Sequence, residues 1–191
     1  MRGMKLGKPL HTAIRVAAAL FLLYLLVLVV SSYWLPITAL AWRLRHGSTV
    51  QVGDYSVPVP TWWLPEQSKD STSLRFHFRA HNLTGGYTFG DITFQVGKTH
   101  SAEQFKQGME AARRSTRPGA GTLAQMISPT KETTVNIAGQ PSVCFEFLLS
   151  VECLPENQDY GLTADLKGTS GFAPLFYQTL SKVTRTGTSQ K

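Results

Sequence analysis

The sequence predicts an α+β protein, with an N-terminal transmembrane helix followed by one domain in which an antiparallel sheet is flanked by two helices. Three observations lead to this fold class. A run of 27 residues without a charged side chain lies near the N terminus. Short segments with alternating apolar side chains follow it, and two further segments have the apolar spacing of amphipathic helices.

The uncharged run, residues 16–42, is predicted to be a transmembrane signal-anchor. Its first 20 residues are interrupted only by Ser31 and Ser32, whose hydroxyls can bond back to helix carbonyls. Residues 1–15 carry four basic and no acidic residues, and two basic residues follow the run. By the positive-inside rule, residues 1–15 form a cytoplasmic basic tail, and residues 47–191 lie on the outer side of the cytoplasmic (inner) membrane of a bacterium.

A cleaved signal peptide is the alternative to this anchor. Pro36 is expected to break the helix, and Ala39-Leu-Ala41 behind it matches an A-x-A cleavage pattern. Signal peptides usually have apolar regions of about 7–15 residues, and this one is longer, which favours the uncleaved anchor. Three aromatic residues are then expected at the level of the lipid headgroups: Tyr33, Trp34 and Trp42.

The net charge of +7 does not indicate a nucleic-acid-binding protein. Six of the 19 basic residues lie in residues 1–46, which hold no Asp or Glu, so residues 47–191 carry 13 basic against 12 acidic residues. The positive charge therefore frames the membrane segment, and no nucleic-acid partner is predicted.

Residues 47–185 are predicted to form the extracytoplasmic domain, and residues 186–191 a disordered tail. Residues 49–60 read as two extended pieces with a turn at Gly53-Asp54, and residues 66–72 read as a loop. Strict alternation from Ser73 to His81 predicts a half-buried strand, which pairs in a hairpin with residues 87–96.

Two amphipathic helices are predicted in the same domain. The first begins at Ser101-Ala-Glu-Gln104, a capping-box pattern, and the last begins at Thr169 or Ser170. Four β-like segments lie between them, at residues 133–138, 142–147, 150–154 and 161–167.

The two cysteines lie in neighbouring β-like segments. If the connecting hairpin is centred on Leu148-Leu149, Cys144 faces Cys153 directly, at a distance compatible with a disulfide. Export would supply an oxidising compartment, so a structural disulfide is favoured over two free thiols. Leu148-Leu149 is an unusual sequence for a tight turn.

One strand face is a candidate binding surface for an anionic partner, such as a lipid headgroup, a polysaccharide or an acidic protein. A solvated strand face that suppresses edge pairing is the alternative. The face consists of Arg75, His77, Arg79 and His81. His77 and His81 are too far apart on a strand to share a metal ion, and Asp91 and His100 look isolated.

No enzyme active site, cofactor or metal site is predicted. Ser128-Pro-Thr-Lys131 matches S-x-x-K, but the companion motifs of the enzymes that use this pattern are missing. The predicted role is therefore that of a membrane-anchored accessory or binding protein with a protein partner at the membrane. The alternatives are a cleaved, secreted binding protein and an exported hydrolase with a scattered active site.

The domain resembles the PsbP/DcrB-like family. Tyr55-Ser-Val-Pro-Val-Pro-Thr-Trp62 is similar to that family's opening extended piece, and Asp91-Ile-Thr-Phe-Gln-Val before Ser101-Ala-Glu-Gln-Phe105 is similar to its strand into the first helix. Ile137-Ala-Gly-Gln-Pro and residues 168–183 are similar to its closing strands and C-terminal helix. The resemblance, over residues 49–185, implies an exported accessory domain without shared catalytic residues, although here a long anchor replaces the lipoprotein cysteine.

Overall fold

A computed structural model describes residues 7–81, 86–114, 129–168 and 170–186. The described chain is α+β, as predicted. Its helices are α1 (Gly7–His46), α2 (Ala102–Arg114) and α3 (Ala173–Leu180), and a 3-10 turn at Ser170–Phe172 precedes α3.

The strands form two antiparallel sheets, where the sequence predicted one. The small sheet has the order β1-β2-β10, made of Thr49–Val52, Tyr55–Pro58 and Thr184–Arg185. The large sheet has the order β3-β4-β5-β9-β8-β7-β6. In chain order, its strands are Leu64–Gln67, Ser73–His81, Tyr87–Lys98, Lys131–Ile137, Gln140–Glu146, Ser150–Pro155 and Tyr160–Gly168.

Helix α1 continues through Pro36, so the expected break at this residue is wrong. A proline inside a helix removes one backbone hydrogen bond, and neighbouring hydroxyls can satisfy carbonyls near such a site. The Thr38 hydroxyl lies 3.0 Å from Trp34 O and 2.9 Å from Leu35 O. The Ser31 hydroxyl bonds back to the carbonyl of Leu28 at 3.0 Å, as the sequence suggested.

The last turns of α1 pack on the domain beside β3 and β4. Pro36 is buried and Ala39 is only 1% exposed. Trp42 packs against the main core and stacks on His46 with ring centroids 4.8 Å apart, and its expected place in a headgroup belt stays a prediction. The guanidinium of Arg43 donates to Val59 O at 2.6 Å, which ties the helix end to the chain that follows β2.

The large sheet has two different faces, named here by the side chains of β4. The inner face carries Leu74 and Phe76, and Ile92 and Phe94 of β5 lie beside them. All four of these side chains are fully buried, and the core that they form includes residues of the small sheet and of α3, such as Val57. The outer face carries Arg75, His77 and Arg79.

Helix α2 packs over part of the outer face. Its predicted capping box forms, with Gln104 N 3.3 Å from Ser101 Oγ and Ser101 N 3.2 Å from Gln104 Oε1. Met109 joins a second buried cluster with side chains of β7 and β8, and the rings of Phe105 and Phe145 lie 4.9 Å apart. Residues 115–128, which follow this helix in the chain, lie outside the described residues.

The predicted register of the β7–β8 hairpin is confirmed. Cys144 pairs with Cys153, and Phe147 N donates to Ser150 O at 2.7 Å, as a centre at Leu148-Leu149 requires. The two sulfur atoms lie at disulfide-bonding distance, and both cysteines are fully buried.

Three boundaries differ from the sequence expectations. Residues 66–72 were predicted to be a loop, but residues 64–67 form strand β3. The prediction missed this strand because Glu66 and Gln67 are polar and β3 forms by pairing with β4. The last helix begins at Ala173, after the 3-10 turn at Ser170–Phe172, rather than at Thr169 or Ser170, and no side chain caps its start. Thr186, predicted as the first residue of the tail, donates its backbone N–H to Asp54 O at 2.8 Å.

Candidate functional site

The predicted binding face on β4 is part of the outer face. Arg75 and Arg79 are exposed there and His77 is half-buried, while Leu74 and Phe76 point into the core, so the predicted alternation is confirmed. His81 ends the strand, but its side chain lies outside what the structure describes.

His77 lies between two carboxylates supplied by the neighbouring strands. On the β5 side, His77 Nδ1 lies 2.6 Å from Asp91 Oδ1, and on the β3 side, His77 Nε2 lies 2.9 Å from Glu66 Oε2. A carboxylate accepts hydrogen bonds, so both contacts are satisfied together when His77 carries a proton on each ring nitrogen. In that form, a positively charged imidazole ring lies between two negatively charged carboxylates.

This arrangement corrects two expectations. Asp91 is not isolated, because it faces His77 directly across the β4–β5 ladder. The outer face is also not a plain row of cations, since Glu66 and Asp91 interrupt it. The hairpin register alone could have revealed the first pair, whereas Glu66 was missed because its segment was read as a loop.

The geometry limits the chemistry of His77. Both ring nitrogens are occupied by carboxylates, so neither is placed to take a proton from a hydroxyl or thiol nucleophile. The carboxylates also lie on opposite sides of the ring and cannot meet His77 at one metal ion. Within the described residues, no cluster of three or more metal-ligating side chains occurs.

An open groove of about 420 Å³ joins this site to α1. Leu35 of α1 lines one side of the groove. Its other lining residues come from β4 and β5: His77, Phe78, Arg79, Phe89 and Asp91. The histidine and its partner carboxylate therefore lie at the junction between the helix and the sheet.

A second pair of carboxyl groups lies farther across the outer face and was not foreseen. Glu152 of β8 faces Asp165 of β9. Burial raises the pKa of Glu152, and the negative charge of Asp165 raises it further, while Lys167 opposes both effects. Burial also raises the pKa of Asp165. Raised carboxyl pKa values occur both at functional sites and in structural charge networks. The register of β8 against β9 is the feature from which this pair could have been found.

The remaining candidates are not brought together with this site. His100 lies near Gln104, with His100 Nδ1 3.4 Å from Gln104 Oε1, at the start of α2. Lys131 of the S-x-x-K match pairs with Glu146 at 3.3 Å, and Ser128 lies outside the described residues. Comparison with known proteins finds no matching family model and no similar curated protein, so the resemblance to PsbP/DcrB-like domains stays a prediction.

Proposed function

We propose that the protein is a single-pass, uncleaved protein of the bacterial cytoplasmic membrane, whose extracytoplasmic α+β domain is a non-enzymatic accessory or binding module. One observation carries the proposal: α1 is a single helix with two distinct parts. From Thr12 to Val27 every side chain is exposed, and most of these side chains are apolar. Pro36 and Ala39, in contrast, are buried against the domain. The anchor and the domain are therefore one connected body.

The dimensions of α1 support a span with a short extension. Its 40 residues correspond to about 60 Å at the usual rise per residue. A bilayer core of about 30 Å takes up some 20 residues, which residues 16–35 supply. The turns of α1 that follow residue 35 pack beside β3 and β4. One apolar helix near the N terminus is weak support on its own, because a signal sequence has the same features.

The distribution of cations supports a cytoplasmic N terminus. Four basic residues precede the apolar run, and the two that follow it are Arg43 and Arg45. Arg43 is engaged by the domain through Val59 O and, at 3.5 Å, Thr61 Oγ1. Hydrogen bonds to the domain thus hold Arg43 in the fold, and the four-to-two count of cations across the apolar run favours a cytoplasmic N terminus.

The packing of α1 also favours the uncleaved form over the secreted alternative. The Ala39-Leu-Ala41 pattern lies inside a helix, and Ala39 is covered by the domain. Cleavage after Ala41 would remove Pro36 and Ala39 from the domain surface and expose what they cover.

The outer face is the binding surface that the geometry favours. It presents both signs of charge, with Arg75 and Lys167 exposed and His77 held between Glu66 and Asp91. A protein surface of mixed charge complements this pattern better than a uniformly anionic ligand, because like charges placed opposite each other at an interface are unfavourable. The occupied ring nitrogens of His77 argue against the hydrolase alternative.

Processing of the chain tests the anchor. The full-length protein is expressed in bacteria, membranes are washed with alkaline carbonate, and the intact mass of the retained protein is measured. We expect the complete N terminus in the membrane pellet. A mature chain that begins at Trp42 and is found in the soluble fraction would overturn the proposal.

A site-specific photo-crosslinker tests the binding face. It replaces Arg75 in one variant of the full chain and Lys69, an exposed residue of the β3–β4 turn, in the control. We expect a discrete crosslinked protein from position 75 in living cells and none from position 69. Equal labelling at both positions, or none at either, would contradict the assignment of this face.

A further inference from the structure

The register of the large sheet defines two ends. At one end, Phe78 pairs with Gly90, Gly90 pairs with Gly168, and Lys167 pairs with Ser150. Leu35 of α1 lines the groove at this end, which we call the α1 end. At the far end, Gly97 pairs with Gly161 and Lys98 with Tyr160.

Exposed apolar side chains concentrate at the α1 end. Among the described residues of the domain, five large apolar side chains are exposed, and only Tyr160 lies at the far end. The other four are Trp62 (49%), Phe89 (51%), Leu148 (80%) and Leu149 (64%). Leu148 and Leu149 form the tip of the β7–β8 hairpin, and Trp62 lies in the turn before β3. Monomeric soluble domains rarely cluster such groups without a binding role.

Backbone conformation strengthens the case at Trp62. Its φ of 72° lies in the left-handed region, which a bulky aromatic residue rarely adopts. The next residue, Trp63, is buried, with its ring 5.2 Å from that of Phe172. The turn therefore buries one indole and leaves the other outside, at an energetic cost that a function in the exposed position would explain.

Acidic residues show the opposite distribution. The sequence has no Asp or Glu in residues 59–63, 86–90 or 147–150 near the α1 end, and the neighbouring Asp91 and Glu146 are paired with His77 and Lys131. The turns and loops of the far end carry four acids: Asp54, Asp70, Glu156 and Asp159. The exposed Lys167 lies close to the β7–β8 tip, and so does Lys131, which is paired with Glu146. Bacterial membranes with anionic lipids repel acids and attract lysines.

The helix indicates what covers this end. Leu35 is the last of the 20 residues, 16–35, that are assigned to the bilayer core. The exposed aromatic residues Tyr33 (56%) and Trp34 (59%) directly precede it. Aromatic residues at the end of a span lie at the headgroups. Leu35, one of the residues of α1 that touch the α1 end, is thus at the membrane surface.

We propose that the α1 end of the domain rests on the same bilayer that α1 crosses, with the Leu148-Leu149 tip inserted among the lipid headgroups as a second membrane contact. The domain is then held at two points, and its outer face stands at a fixed orientation to the membrane. This inference rests on the proposed membrane anchoring, so the test measures both separately.

Three positions of equal exposure provide the test. Leu22, Leu149 and Tyr160 are each 64% exposed, and each is replaced by cysteine in the full chain. The native cysteines are paired, so a thiol-reactive NBD dye labels the new residue alone. The purified chain is placed in phospholipid nanodiscs with or without a lipid that carries a nitroxide quencher near the headgroup. A mass check confirms that the Cys144–Cys153 pair is intact.

We expect the quencher to reduce NBD emission at Leu22→Cys and Leu149→Cys and to leave Tyr160→Cys unchanged. Loss of quenching at Leu22→Cys would overturn the membrane anchoring itself. Quenching at Leu22→Cys with Leu149→Cys behaving like Tyr160→Cys would overturn only the second contact, and would point to a protein that covers this end. Phe89→Cys, at an independent site of the same end, must agree with Leu149→Cys.

Discussion

The two faces of the large sheet differ in almost every physical respect. The inner face is dry, with Leu74, Phe76, Ile92 and Phe94 fully buried. The outer face holds carboxylates, a histidine and cations, many of them half-buried on strands β3, β4, β5, β8 and β9. The comparison separates stability from function: the inner face should dominate the free energy of unfolding, and the part of the outer face that α2 leaves uncovered should tolerate change and carry recognition.

The largest expected effect is on the inner face. Replacing Phe94 by Ala removes a fully buried ring and should lower the free energy of unfolding by about 3–5 kcal/mol. The matched control is Thr93→Ala on the same strand but the opposite face, which should change it by no more than about 0.5–1 kcal/mol. Urea titration followed by circular dichroism measures both. Equal losses would remove the distinction between the faces.

The disulfide comes next, because it links two strands beneath the same core. Replacing Cys144 and Cys153 together by Ala should lower the free energy of unfolding by roughly 2–3 kcal/mol, the range expected for a short closed loop. A reductant should then destabilise the original chain and not the double variant. Two reactive thiols in the unreduced, unfolded protein would show that the pair is not oxidised in the cell.

Gln140 tests a polar group inside the core. Its side-chain amide accepts from Leu162 N at 3.1 Å and donates to Leu162 O at 2.9 Å, beyond the last β8–β9 pair. A Cβ at Gly161 would overlap Gln140 Oε1, so a larger residue there would displace this amide. Gln140→Leu leaves the Leu162 groups unsatisfied and should lower the free energy of unfolding by about 2 kcal/mol in the same urea titration. A neutral result would mean that water replaces the amide.

The smallest expected effect is on the outer face and has the opposite sign. Because the folded state raises the pKa of Glu152, its contribution to stability is fully present below the ordinary Glu pKa of 4.5 and is lost as pH rises through the folded-state pKa. Glu152→Gln should therefore stabilise the domain near pH 7, by at most about 0.5 kcal/mol after solvent screening, and have little effect below pH 4.

Thermal unfolding at both pH values measures this difference, and Glu156→Gln, whose carboxyl is outside the strand pair, is the control. A loss of stability at neutral pH on Glu152→Gln would mean that a favourable partner holds the carboxylate and outweighs both burial and repulsion from Asp165.

Much of the fold follows from local patterns in the sequence. The alternation in β4, the capping box at Ser101 and the register of Cys144 and Cys153 are each properties of neighbouring residues, and all three are confirmed. Strand β3 was missed because Leu64-Pro-Glu-Gln67 has no apolar alternation and depends on pairing with β4. The continuity of α1 through Pro36 was missed because the Thr38 hydroxyl donates to the carbonyls of Trp34 and Leu35, and the helix does not break at the proline.

The candidate site shows the same limit. The residues of β4 were found from sequence, but their partners Glu66 and Asp91 lie on other strands, and only the sheet brings them to His77. The clustering of exposed apolar residues at the α1 end likewise joins four segments that are far apart in the chain. Sequence reasoning located single strands well and missed what different strands do together.

Topology is the most direct test of the central claim, that α1 is an anchor which holds the domain on the outer side of the membrane. Single cysteines are placed at Lys5, before the span, and at Lys69, in an exposed turn of the domain, and intact cells are treated with a membrane-impermeant maleimide that reaches the periplasm. We predict labelling of Lys69→Cys in intact cells and of Lys5→Cys only after lysis, with both chains in the membrane fraction. Labelling of Lys5→Cys with protection of Lys69→Cys would contradict the account.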